Sequence, residues 1–115
     1  MDEIIYAYTS REAEEDGVLF DISKIRESWK QGPFNYVTTN LLYCGYLKDD
    51  DSINIPSIMD LLNQALNILR KGSNNFMEVD TFYDGIIELP SGEEATIFIT
   101  QNETGKFTLM LAEDY

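Results

Sequence analysis

From Ile58 to Leu69 the apolar residues recur at the spacing of one helix face: Ile58, Leu61, Leu62, Ala65, Ile68 and Leu69. Asn63, Gln64, Asn67, Arg70 and Lys71 fall largely off that stripe. The pattern predicts a helix from Ser57 to Lys71. Pro56 suits its first turn, Ser57 can help cap it, Arg70 and Lys71 suit its negative end, and Gly72 closes it. After Gly72 the period falls to two. In "FMEVDTFY" Met77, Val79 and Thr81 share one face, with Glu78 and Asp80 on the other. "IIEL" is a short apolar piece. "ATIFIT" puts Ala95, Ile97 and Ile99 together, and "KFTLMLA" does the same for Phe107, Leu109 and Leu111. "PSGEE" and "QNETGK" supply turns at Gly92 and Gly105. These segments predict an antiparallel meander.

The N-terminal half reads as shorter pieces. Thr9 and Glu12 fit a capping box, and Gly17 can end a short helix in the left-handed conformation. "VLFDI" then predicts a brief strand, with Asp21-Ile22-Ser23 as a local cap. Ile22, Ile25 and Trp29 predict a helix from about Ser23 to the stop at Gly32-Pro33. Thr38 can cap another helix, over about Thr38 to Leu47, with Leu41, Leu42 and Tyr46 inward. Helices followed by strands give the α+β class. The expected architecture is one domain over 1–115, with N-terminal helices packed on a C-terminal antiparallel meander of three or four strands.

Charge changes this picture more than composition does. The chain of 115 residues is 43% hydrophobic, enough to build a core rather than remain disordered. Its 21 acidic and 8 basic side chains give a net charge of -13. Residues 72–115 hold nine of those acids and a single base, Lys106. Such a surface repels nucleic acid and anionic membrane and attracts basic partners. The bases form no cluster, so counterion release on a phosphate backbone has little to work with. No apolar run reaches the roughly 20 residues of a membrane span. "MDEIIYAYTS" has two acids and no base, unlike a secretory signal. One cysteine leaves no internal disulfide, and a cytoplasmic location is the simple expectation.

The absence of histidine removes Ser-His-Asp, Cys-His and histidine-metal chemistry. Cys44, beside Leu41, Leu42 and Tyr46, reads as a small hydrophobe. "DDDSIN" is not an EF-hand loop. Counted from Asp49, Ile53 and Asn54 stand where an acid and a glycine are needed. No glycine-rich phosphate loop is present. A carboxylate-based metal enzyme is conceivable from the acids alone, but their spacing favours none. The expectation is a protein that is not an enzyme and takes no metal or cofactor.

Tyr8-Thr9, Ala13, Asp16-Gly17-Val18-Leu19 and Asp21-Ile22 resemble the opening motif of a family of small proteins of unknown function. That family occurs on plasmids, phages and actinobacterial genomes, and its members typically read "YTR-x-x-A-x-x-DGVLVDV". Val37-Thr38 and the closing "FTLMLAEDY" match its later features in order. Many members carry arginine-rich middle strands, which this chain lacks. The resemblance implies a mobile-element origin, and the family has no settled activity to carry over.

Two candidate surfaces follow. The first is acidic: Glu78, Asp80, Asp84, Glu88, Glu93, Glu94 and Glu103. Alternation would set Glu78 and Asp80 roughly 7 Å apart on one face, near the phosphate spacing of DNA. The corresponding function is binding to a basic surface of a nucleic-acid-handling host protein, as a DNA mimic that inhibits restriction or CRISPR defence. The second is an aromatic patch of Phe34, Tyr36 and Tyr43 serving a small adaptor or oligomeric domain, since aromatics favour interfaces. The acids of "EAEED" have local capping duties, so glutamine at Glu14 and Glu15 should leave partner binding nearly unchanged.

Overall fold

The computed structural model describes residues 10–15, 17–72 and 82–114. Thr9, Glu78 and Asp80 lie outside these, and so do the cap at Thr9 and the phosphate-like pair. The chain begins with α1 (Ser10–Glu15) and β1 (Leu19–Asp21). Between them Gly17 has φ 79°, its N–H donates to the Glu14 carbonyl at 3.0 Å, and Val18 N–H donates to Ala13 at 2.9 Å. This is the glycine-closed helix end expected from the sequence.

Two short 3-10 turns follow, Ile22–Lys24 and Glu27–Gln31, where one helix was expected. Asp21 Oδ1 caps the first through Ser23 N–H at 2.9 Å, and Arg26 between them is extended at φ -141°, ψ 135°. Ile22 is buried, and Ile25 and Trp29 pack against the core. In 3-10 geometry residues three apart share a side, which aligns Ile22 with Ile25, while Trp29 belongs to the second turn, beyond the extended Arg26.

β2 (Phe34–Thr38) occupies what was expected to be a loop and a helix start. The helix reduces to one turn, α2 (Thr39–Leu42), capped by Thr38, whose side chain accepts from Leu41 N–H. Gly45, at φ 108°, cannot continue it. α3 (Ile55–Gly72) starts two residues before the expected Ser57. Asn54, not Ser57, supplies its cap: Asn54 Oδ1 accepts from Ser57 N–H at 3.3 Å. β3 (Phe82–Glu88), β4 (Glu94–Gln101) and β5 (Phe107–Leu111) form an antiparallel meander, turning at Gly92 and Gly105. β3 joins the end of "FMEVDTFY" to "IIEL", expected as two pieces, and Met77, Val79 and Thr81 lie outside the described residues.

The strands make one mixed five-stranded sheet, ordered β1-β2-β5-β4-β3. The expected count of three or four omitted β1 and β2, which extend the meander beyond β5. β2 runs parallel to β5, with a register shift between Phe34 and Tyr36. The displaced Asn35 reaches the β4–β5 turn: its Oδ1 accepts from Asn102 Nδ2 at 2.7 Å, and its Nδ2 donates to Thr104 Oγ1 at 3.0 Å. α3 lies on the inner face of the sheet. There Ile58, Leu61 and Ala65 meet Val37, Ile97, Ile99 and Leu109 in one core, all at 0% exposure. The α+β class stands, with a helix packed on a sheet.

Candidate functional site

Alternation along the meander divides its side chains between two faces. Tyr83, Gly85 and Ile87 of β3 turn towards α3, as do Ala95, Ile97 and Ile99 of β4. Phe82, Asp84, Ile86 and Glu88 turn outward, and so do Glu94, Thr96, Phe98 and Thr100. The register places Asp84 opposite Phe98, Ile86 opposite Thr96 and Glu88 opposite Glu94.

The outer face over β3 and β4 is apolar and acidic in alternation. Ile86 is 64% exposed and Phe82 40%. The rings of Phe82 and Phe98 meet at 4.9 Å between centroids and 59° between planes. Half-buried Met110 lies opposite Phe98 on β5. Asp84 and Glu88 flank Ile86 on the same face, about 13 Å apart along an extended strand. Exposed large apolar side chains grouped on one face mark an interaction surface more often than isolated ones do.

The structure brings some of the sequence candidates together and separates others. Glu88, Glu94 and Glu93 gather at one end of β3 and β4, where Leu89 N–H donates to the Glu93 carbonyl at 2.8 Å. Directly opposed like charges on a strand pair disfavour folding. Glu88 and Glu94 therefore occupy an arrangement that folding alone does not reward. Asp84 lies mid-strand. Glu103 sits in the β4–β5 turn, at the far end of the eight-residue β4, and belongs to a different neighbourhood. That neighbourhood includes Tyr36, whose hydroxyl pKa is raised by burial and further by Asp21, Glu14 and Glu103.

The aromatic patch does not form as expected. Phe34 is 4% exposed and Tyr36 8%, whereas Tyr43 is 72% exposed. Phe34 and Tyr36 lie on β2, an inner strand with β1 along one edge and β5 along the other. Tyr43 instead borders a hollow of about 240 Å³ with Phe20, Leu42, Leu47 and Ile53.

The remaining candidates have local roles. Glu14 pairs with Lys24 at 2.5 Å. Asp50 Oδ1 accepts from Ser52 N–H and Oγ at 3.0 and 2.5 Å, closing the acidic loop on itself, and these bonds lower its pKa. Cys44 is half-buried, and burial raises its thiol pKa, with Glu113 and Asp114 adding to it. Among the described residues no group of three or more acids or cysteines is placed to hold a metal ion.

Sequence reasoning missed Gln64, which it placed only off the apolar stripe. Its Nε2 donates to the Glu88 carbonyl at 2.9 Å and its Oε1 accepts from Glu88 N–H at 2.8 Å. It thus ties α3 to the outer edge of β3. A lone glutamine on a polar helix face carries no signal for such a contact.

No family model matches the chain, and no curated protein or solved structure matches it significantly.

Proposed function

We propose that this protein is a non-enzymatic binding module whose outer β3–β4 face docks on a basic, partly apolar surface of another protein. The observation that carries the reading is the outward row Phe82, Asp84, Ile86, Glu88, joined by Phe98 and Glu94 on the neighbouring strand. An acid row imitating a phosphate backbone would place carboxylates at consecutive outward positions. Here Ile86 stands between Asp84 and Glu88, so apolar contact contributes alongside charge. The net charge of -13 attracts the partner and steers its approach. Surfaces that handle nucleic acid are basic, and the partner is assigned to that class. Docking there would compete with nucleic acid. The resemblance of the opening motif supports a mobile-element setting, and the lone cysteine supports a cytoplasmic one. No described helix is long and apolar enough to cross a membrane.

The test is comparative affinity purification with the wild-type chain and the Asp84→Asn, Glu88→Gln, Glu94→Gln triple variant, between about 50 and about 500 mM salt. A basic protein should be retained by the wild type at low salt and lost with the variant. Retention of the same proteins by both chains at both salt concentrations would refute the reading.

A second reading, a small adaptor domain, rests on Tyr43 and its hollow. Partner retention abolished by Tyr43→Ser and untouched by the acidic triple variant would favour it.

A further inference from the structure

β3 is an outside strand of the sheet, and its pairing with β4 shows which of its backbone groups are already used. Leu89 bonds across to Glu93, so alternate residues Ile87, Gly85 and Tyr83 face β4, while Glu88, Ile86, Asp84 and Phe82 direct their N–H and C=O away from the sheet. Gln64 occupies the Glu88 pair. Among the described residues nothing pairs with the outward backbone groups of Asp84 and Ile86.

The two edges of the sheet differ. β1 has only three residues, a short edge that offers little to a new strand. β3 has seven, paired to β4 in unbroken register without a bulge. A groove of about 480 Å³ runs beside it, bordered by Ile68 and Lys71 of α3 and by Phe82, Asp84 and Ile86 of β3. Gly85 forms part of its wall, and Ile68 fills the space where a Gly85 side chain would project.

We propose that β3 accepts an extended segment of the partner as a sixth strand, and that this segment is cationic and apolar in alternation. The proposal rests on the binding-module reading above and specifies how the partner engages. Strand addition supplies affinity through main-chain hydrogen bonds and specificity through alternate side chains. On the outer face, residues opposite Asp84 and Glu88 would be arginine or lysine, with an apolar residue between them opposite Ile86. The inner positions would lie over Ile68 and Lys71, so they would be aliphatic and uncharged. A second copy of this chain would bring Asp84 and Glu88 against identical acids, which a net charge of -13 opposes.

The test uses a synthetic capped peptide, Ser-Thr-Arg-Val-Ile-Val-Arg-Thr-Ser, with two forms N-methylated at alternate residues, one at Arg, Ile and Arg and the other at the two Val. Each keeps the charge, and one loses the donors that face β3. The unmodified peptide should bind, one methylated form should bind about tenfold or more weakly, and the other should bind as before. In the complex, amide exchange at Asp84 and Ile86 should slow by about tenfold or more, with Glu88 little changed. Equal binding of both methylated forms, with unchanged exchange at Asp84 and Ile86, would overturn strand addition. If that binding is still lost in the acidic triple variant, the binding-face reading survives. Absence of binding by the unmodified peptide would also overturn strand addition. So would concentration-dependent protection of Asp84 and Ile86 in the protein alone, which would assign the edge to a second copy.

Discussion

Gly85 and Ile68 are packed so closely that a Cβ on Gly85 would stand 2.6 Å from Ile68 Cδ1 and 2.7 Å from Cγ1. The missing side chain lets α3 lie against β3, which presents the outward row to solvent. Gly85→Ala should lower stability by about 1–3 kcal/mol, read from the urea midpoint. Adding Ile68→Ala should recover part of that loss, a coupling of about 1 kcal/mol in a double-mutant cycle. Strict additivity of the two changes would contradict the contact.

Tyr46 is fully buried, and among the described residues its hydroxyl has no hydrogen-bond partner. Tyr46→Phe removes that unsatisfied group at almost constant volume. Stability should stay unchanged or rise by up to about 1 kcal/mol. Burial, aided by Asp60 and Cys44, raises its pKa to about 12. An unfolded tyrosine ionises near 10. Above that pH the unfolded chain releases the proton while the folded one retains it, so stability should fall between about pH 10 and 12. Urea titrations across that range should show a smaller fall in Tyr46→Phe.

Asp114 Oδ2 accepts from Thr38 Oγ1 at 2.7 Å, Oδ1 accepts from Asn40 Nδ2 at 2.8 Å, and Oδ2 accepts from Leu111 N–H at 3.3 Å. It holds the chain after β5 against the start of α2. Asp114→Ala removes these acceptors beside the buried Thr38. The expected cost is about 1–3 kcal/mol by urea denaturation, with Asp114→Asn recovering part of it.

Glu94→Lys replaces an opposed pair of like charges by an opposite pair with Glu88. Stability should rise by about 0.5 kcal/mol, measured as a higher Tm at low salt, and the gain should shrink as salt is added. Partner retention should fall in the same variant. A gain in both would separate the carboxylates from recognition.

The raised thiol pKa of Cys44 predicts slow alkylation near pH 8 in the folded protein, speeding up about tenfold when urea unfolds it. Equal rates in the two states would show that burial does not protect the thiol.

The features most legible in the sequence were those with short-range causes. The apolar stripe of α3, the Gly17 helix end, the Asp21 and Thr38 caps and the Gly92 and Gly105 turns each depend on residues a few positions apart. β2 was missed because its support is distant. "FNYVT" has β-branched and aromatic content, but its pairing partner, Phe107–Leu111, lies some seventy residues on. The aromatic patch failed for the same reason, since burial of Phe34 and Tyr36 comes from strands that sequence spacing does not reveal. Acid content pointed to the C-terminal part, and alternation correctly placed Ala95, Ile97 and Ile99 on one face. Which acids would meet was set by the β3–β4 register, which joins Glu88 to Glu94 and leaves Glu103 at the other end.

β5 is the last strand along the chain and the middle strand of the sheet. Before residues 107–111 have been synthesised, β1 with β2 and β3 with β4 are two separate hairpins sharing no edge. The two halves of the sheet therefore join only when β5 is in place. Until then, the apolar faces that will become the core lack the central Leu109 and Leu111 that pack between the two halves.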